Sequence, residues 1–470
     1  MTQIAIVGAG AAGTTAAYRL RQALGAGAEI TVFEREPRCG GRTRRIEFAG
    51  THVEVGATQL HSSGRHIQAL MALTGLKPGA GPAPAAGKDE VFGFWNGCRF
   101  TLTTKSSSPG LAVGLSRGYG PGSAVRVVGV VRRTAGKWNK IYDLQKSGAL
   151  FLTPSDLLSE LGVGDLADVS LRHALARAGA KGDFISDVVG GITRNIFTQD
   201  ASLNAFAGEV GLAGSGLSGG SLFALAEGNE TLFARALAAL DVELVTGAKV
   251  ARVDAPDALS RPTSGNVTSP KRARHKGPGA VSVPVPGGRL SVTLKDKTKR
   301  EFDAVVVAAP LELADIKVAG ARRLYRPPAR QYQEVHVTLV AGRPSPAYFG
   351  LGPRQRMPTQ VFASNSTRTP FCSMGVTGTS ELGPLWKVFT AARPLSDETL
   401  KRMFSEANAV TRFVWKGAYP VLTPETEGAP FLLAPGLYYA NGFESAASTV
   451  ELAAVAGYNV AGLALNQLRA

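Results

Sequence analysis

The chain opens on an apolar, β-branched run, Ile4-Ala5-Ile6-Val7, which is too short for a helix and predicts a buried strand. The run stops at Gly8-Ala9-Gly10-Ala11-Ala12-Gly13, and a helix-like stretch from Thr14 to Leu20 follows. Glu29-Ile30-Thr31-Val32-Phe33 reads as a second strand, ending at Glu34. Later apolar segments come in separate pieces. Thr246 to Val253 reads as a strand, and Asp303 to Ala309 is a fully apolar, parallel-type strand halted by Pro310. Gly436 to Glu444 gives a strand and turn before an Ala-rich helix from about Thr449 to Leu468. Between these pieces the pattern changes. From Leu111 to about residue 221 it is mainly helical, Glu334 to Val340 reads as a strand, and a helix is expected from Ser396 to Ala407. Ser396 is its N-cap, with Asp397 and Glu398 in the first turn. The expected fold class is α/β. A discontinuous Rossmann-type domain (residues 1–80, 222–314 and 429–470) carries a mixed α+β substrate domain (81–221 and 315–428).

The Gly-rich turn has a chemistry of its own. Strand, G-x-G-x-x-G, helix and strand within about 30 residues is the context in which that motif binds a dinucleotide. Gly8 permits the tight turn, Gly10 lets backbone approach a pyrophosphate, and Gly13 lets the helix pack against the sheet. The phosphates then meet the helix N-terminus, beside Ala12, where free N–H groups favour negative charge. Glu34, about 20 residues on, is placed to accept bonds from ribose hydroxyls and to repel a 2′-phosphate. Arg35 is assigned to the same site.

Composition narrows the classes. With 470 residues, 44% of them hydrophobic, the chain is long enough for a large core and more than one domain. No stretch approaches the roughly 20 apolar residues of a membrane span. Three cysteines make neither a disulfide framework nor a metal site, and no secretory leader is read at the start, so a cytoplasmic location is expected. The formal net charge of +16 invites an anionic partner. Nucleic acid is excluded, because no zinc-finger spacing, RNP-like strand or basic heptad accompanies the charge. Lys271-Arg272-Ala273-Arg274-His275-Lys276 lies in a Pro/Gly/Ser-rich segment and reads as a solvated loop tip. From Arg117 to Lys146, cations interleave with Val127, Val128, Val130 and Val131; this stretch is either a solvated helix face or a peripheral contact with an anionic membrane.

Arg38-Cys39-Gly40-Gly41-Arg42-Thr43 resembles the G-G-R segment after the second strand in amine-oxidase-like FAD enzymes. The resemblance makes the dinucleotide FAD, with Gly41 and Arg42 at its pyrophosphate. It also places Gly56-Ala57-Thr58-Gln59 against the flavin ring, Val250 at the adenine, and Glu444 near the ribityl chain, beside Gly442. The N-terminus of the last helix, Thr449 and Val450, then points at the flavin pyrimidine. No covalent-attachment cysteine segment is seen, so the FAD is expected to be noncovalent.

Within that superfamily the chain resembles the prenylcysteine oxidase family. Three blocks carry this: Gly56 to His61 with the helix from Arg65 to Leu76; Ala178 through Arg194, Gln199 and Asn204-Ala205-Phe206 to Asn229; and Leu437 to Ser448. The resemblance implies oxidative cleavage of a thioether in a small amphiphilic substrate, with oxygen as acceptor. It makes His61 a candidate proton shuttle and Arg194 a candidate holder of a substrate carboxylate. A flavin amine oxidase, an isoprenoid or carotenoid-type desaturase and a flavin-binding scaffold with little turnover are the alternatives. Against the first, Glu334 to Val340 has no lysine and Ser445 to Thr449 no aromatic residue.

Overall fold

A computed structural model describes residues 1–79, 91–105, 108–217, 220–257, 281, 283–352, 354–424 and 428–469. The apolar run at the start becomes the strand Thr2–Val7, at the centre of a six-stranded sheet. Ala28–Phe33 and Glu243–Val245 lie to one side in parallel register. Ala304–Val307 and Leu437–Tyr439 lie to the other, also parallel, and Leu432–Ala434 closes that edge antiparallel. Ile4, Ala5, Ile6, Val305 and Val306 are fully buried, which is why these stretches are apolar on both faces.

The helices Ala11–Leu24 and Val450–Leu468 pack together on one face of this sheet. Their approach is closest where a Cβ on Gly457 would stand 2.1 Å from the Ala12 carbonyl oxygen. Any side chain there would drive the last helix off the first. The opposite face packs on a four-stranded sheet of Lys299–Phe302, Leu290–Leu294, Val250–Ala255 and Lys317–Gly320. Lys317–Gly320 pairs parallel with Val250–Ala255, so this sheet extends past the residue-314 boundary drawn from the sequence. The basic segment from Lys271 to Lys276 lies outside the described residues.

A third sheet has seven strands, ordered Phe404–Pro420, Tyr332–Pro344, Gly383–Ala391, Ser373–Ser380, Gln360–Ala363, Val91–Trp95 and Phe100–Lys105. One face packs against the helix Asp397–Met403 through Trp386, Val388 and Met403. The other face sets Val337, Leu339 and Leu385 on Phe48, Val53 and Val55, which follow the dinucleotide unit in the chain. The helix expected to reach Ala407 ends at Met403, with Ser396 accepting from the Thr399 N–H as its cap. From Phe404 the chain is strand, because its alternation of exposed and half-buried residues fits the facing strand Tyr332–Pro344. The helical region expected after Leu111 is present, including Ser108–Tyr119, Pro121–Trp138 and Lys140–Lys146. Among the described residues no helix is long and apolar enough to cross a membrane.

Candidate active site

The helix Ala11–Leu24 begins without a side-chain cap and with no acid in its first turn, so its leading N–H groups are free for an anion. Gly13 is obligatory, since a Cβ there would lie 1.9 Å from the Gly8 carbonyl oxygen. Gly10 faces Gly41, whose Cβ would lie 3.4 Å from the Gly10 Cα, so bare backbone from both motifs lines one slot. Glu34, 7% exposed, accepts from the Ala9 N–H at 2.9 Å and the Glu36 N–H at 2.9 Å. Each of its oxygens keeps a further lone pair for a ribose hydroxyl. The Ala248 N–H donates to the Glu34 backbone carbonyl, and two residues on, buried Val250 begins its strand. Arg35 points outward, donating to the Leu313 carbonyl and lying beside Glu36.

A cleft runs from Ala12 to Thr449 and Leu452 at the start of the last helix, walled by Arg42, Asn441 and Glu444. Thr449 caps that helix by accepting from the Leu452 N–H at 3.2 Å, which fixes Val450 as its first residue. Glu444 pairs with Arg42 and accepts from Tyr332 Oη at 3.0 Å, Asn441 Nδ2 at 3.2 Å and Ser448 Oγ at 2.9 Å. Burial pushes its carboxyl up, but Arg42 and Arg330 outweigh that and hold it below the usual carboxylate range. Arg330 clamps Glu312 at 2.6 Å and 3.1 Å and donates to the Asn441 carbonyl at 2.8 Å and Tyr439 Oη at 2.7 Å. Gly442 follows in the buried turn Ala440–Ser445. Two buried atoms here, Asn441 Oδ1 and Ser445 Oγ, have no partner among the described residues. Unspent polar atoms beside two helix N-termini suit a ligand that carries both phosphates and hydroxyls.

Across the site, Gly56, Ala57 and Thr58 form a half-buried strand end, with Gln59 exposed beyond it. Its position is fixed from three sides. Asn229 Nδ2 donates to the Ala57 and Thr58 carbonyls at 2.9 Å, and Trp415 Nε1 to the Val55 carbonyl at 2.8 Å. The third side is a residue that sequence reasoning missed. Lys387, from the strand Gly383–Ala391, is 8% exposed and donates to Thr58 Oγ1 at 2.8 Å and the Glu54 carbonyl at 3.0 Å. Burial lowers its pKa to about 8, against the pull of Glu54. Glu334 to Val340 has no lysine, but the neighbouring strand sets Lys387 opposite Leu339, so that absence does not count against an amine oxidase. The only hint in the sequence is a lone cation within Leu385-Trp386-Lys387-Val388-Phe389.

His61 pairs with Leu222 in a two-residue bridge, and its Nδ1 accepts from the Ser63 N–H at 3.1 Å, beside Ser63 Oγ at 2.7 Å. The neutral ring therefore carries its proton on Nε2. Arg194, on the helix Gly190–Phe197, donates to Asn365 Oδ1 at 2.8 Å and the Phe371 carbonyl at 3.0 Å. It has no carboxylate partner among the described residues, and its buried Nε is unspent. The structure thus brings together Gly8, Gly10, Ala12, Gly13, Glu34, Gly41, Arg42, Gly442, Glu444, Thr449 and Val450, and holds Gly56 to Thr58 by Lys387. Arg194 belongs to a different wall, at the hairpin between Gln360–Ala363 and Ser373–Ser380.

A family model described as prenylcysteine lyase matches residues 113–470, and one described as an NAD(P)-binding Rossmann-like domain matches residues 6–73. Farnesylcysteine lyase of Arabidopsis thaliana is 29% identical over 481 residues, covering 99% of this chain and 88% of the plant protein. Prenylcysteine oxidase 1-like of Bos taurus is 29% identical over 487 residues, covering 99% and 91%. Among solved structures, cyclohexylamine oxidase from Brevibacterium oxydans superposes with a TM-score of 0.61 at 14% identity over 100% of both chains. Putrescine oxidase bound to putrescine gives a TM-score of 0.60 at 16% identity over 98% of each. The α/β fold with a Rossmann-type domain and FAD as the dinucleotide, both expected from the sequence, are borne out.

Proposed function

The chain belongs to the prenylcysteine lyase family, and from that premise we propose that it is an FAD-dependent oxidase cleaving the thioether of a prenylcysteine-like amphiphile. The observation that carries this reading is a match over 99% of the chain to thioether-cleaving relatives, on a chain whose cleft has the polar walls and the uncapped N-terminus of Ala11–Leu24 that FAD needs. FAD, when bound, supplies the hydride acceptor and the centre at which oxygen is reduced to peroxide. The substrate loses hydride from the carbon bearing sulfur; water adds to that carbon, and the hemithioacetal collapses to thiol and aldehyde.

The protein's own residues position, exclude water and move protons. Lys387 holds a cation at the Gly56–Thr58 strand end, which the resemblance sets against the flavin. There it favours negative charge that develops on reduction. His61 moves a proton at Nε2 as water adds. Arg194 offers its unspent Nε to a substrate carboxylate. Anaerobic mixing of the holoprotein with S-farnesylcysteine should bleach the visible flavin band, and oxygen should then yield peroxide, free cysteine and aldehyde. If a simple amine bleaches the band while the thioether leaves it oxidised, the reading fails. His61→Ala should slow turnover about 100-fold while FAD stays bound, at the low end of general acid–base effects. Should turnover be unaffected, the ring has only a structural role. Lys387→Met should slow anaerobic bleaching about tenfold, the worth of one hydrogen bond to a charged group (~1.5 kcal/mol). It should also remove a limb of the pH profile near the lysine's pKa of about 8. Persistence of that limb in the variant would assign it to another group.

A further inference from the structure

The described residues expose few large hydrophobic side chains, and two of them stand on neighbouring helices. Val113 on Ser108–Tyr119 is 49% exposed, and Val125 on Pro121–Trp138 is 70% exposed. Pro121–Trp138 buries the stripe Ser123, Val127, Val131, Thr134 and Trp138, so the face with Val125 is turned to solvent. Exposed arginines frame both valines: Arg117 one turn after Val113, and Arg126, Arg132 and Arg133 around Val125. None of the four pairs with a carboxylate among the described residues, and Arg126 reaches only the Gly179 carbonyl, at 3.3 Å. The sequence from Val91 to Tyr142 holds eight lysines and arginines and no aspartate or glutamate at all. A surface shaped only for solubility mixes both signs. Uniform positive charge around protruding apolar side chains is the pattern of an interfacial helix on an anionic bilayer.

We propose that the solvent face of Ser108–Tyr119 and Pro121–Trp138 docks on an anionic lipid bilayer. Val113 and Val125 enter the head-group layer, and Arg117, Arg126, Arg132 and Arg133 meet lipid phosphates and carboxylates. The same helix reaches the cofactor cleft, because Trp138 at its far end stacks on Phe443, with ring centroids 5.9 Å apart, and Phe443 lines that cleft. The inference rests on the amphiphilic substrate of the reading above, since a bilayer surface is where such a molecule is presented. Docking itself needs no turnover.

Co-sedimentation of the FAD-loaded protein with phosphatidylcholine vesicles, with and without phosphatidylserine, tests it. Binding should require phosphatidylserine and fall steeply as ionic strength passes the point where the Debye length is about 10 Å. Arg132→Gln with Arg133→Gln should weaken binding roughly 30-fold, from about fivefold per cation. Val113→Ser with Val125→Ser should weaken it too, by a loss that added salt does not mimic. In both variants an unchanged flavin spectrum shows that the fold is intact. Equal binding to neutral and anionic vesicles overturns the proposal. So does wild-type binding by both variants, or capture by heparin without capture by vesicles, which would assign the face to a different polyanion. Vesicle binding by a protein that leaves S-farnesylcysteine unoxidised would keep the docking face and discard the thioether reading.

Discussion

Replacing Arg42 with methionine is expected to destabilise the fold by about 3 kcal/mol and to leave the protein without FAD. Glu444, its partner, is 6% exposed and carries its charge because Arg42 and Arg330 overcome the cost of burial. Removing one member of a buried pair typically costs about 3–5 kcal/mol, since the other charge is stranded. The lower end applies here, because Tyr332, Asn441 and Ser448 still donate to Glu444 and Arg330 Nη1 stays 4.0 Å away. Arg42 also donates to the Ala418 carbonyl at 2.8 Å, so its loss frees the end of the long strand from the cofactor domain. The sign with pH follows from the depressed carboxyl. The pair stabilises the fold above the ordinary glutamate value of 4.5, and that stabilisation is lost as pH falls through the lowered folded value. Denaturant unfolding of the apoproteins should show the deficit at neutral pH and a narrower gap in acid. Adding Glu444→Gln to the Arg42 variant should recover part of it. A wild-type unfolding midpoint in Arg42→Met would mean that Glu444 is carried by its other partners.

The parts of this site that were legible in the sequence are those in which chemistry is local. Gly8 to Gly13 form a single turn, and a contiguous strand–turn–helix–strand unit returns Glu34 to the Ala9 N–H only 25 residues later. The start of the last helix, read at about Thr449 and observed at Val450, follows from the same short-range logic. Lys387 was hidden because it meets Thr58 across 329 positions of sequence, through a sheet whose strand order no local pattern encodes. Arg330 was hidden likewise, lying in an irregular segment that acquires meaning only when Glu312, Tyr439 and Asn441 converge on it. The segment after Met403 shows a third cause. Leu400 and Met403 keep the helical spacing, but Val410, Arg412 and Val414 alternate outward as a strand, and the longer period was extended too far.

The second large effect is expected at Glu451, in the first turn of the last helix. Its carboxyl is not a cofactor ligand but a joint. It accepts from the His66 N–H at 2.9 Å and the Ile67 N–H at 3.1 Å, capping the helix Arg65–Thr74, and from Tyr142 Oη at 2.9 Å. Alanine would strand two helix N-terminal donors and a buried hydroxyl. At about 1–3 kcal/mol for each unsatisfied group, partly relieved by water entering the space, the loss should be about 3–5 kcal/mol. Glutamine keeps one acceptor oxygen, so it should cost less and serve for the pH test. Burial pushes the Glu451 carboxyl from 4.5 up to about 7, against the three hydrogen bonds. The folded state therefore holds this proton more tightly, and the stability it contributes at low pH is lost as pH rises from 4.5 to 7. His66, stacked on Tyr458, has the opposite sign. Burial lowers its pKa from 6.5 to about 4, so folding is increasingly favoured as pH rises between those values. In the wild type the two slopes largely offset one another from 4.5 to 6.5. In Glu451→Gln only the histidine remains, and thermal or denaturant stability should climb with pH across that window. A Glu451→Gln profile parallel to the wild type would show that the carboxyl is already ionised in the fold, and that its proton has no part in holding the last helix against Arg65–Thr74.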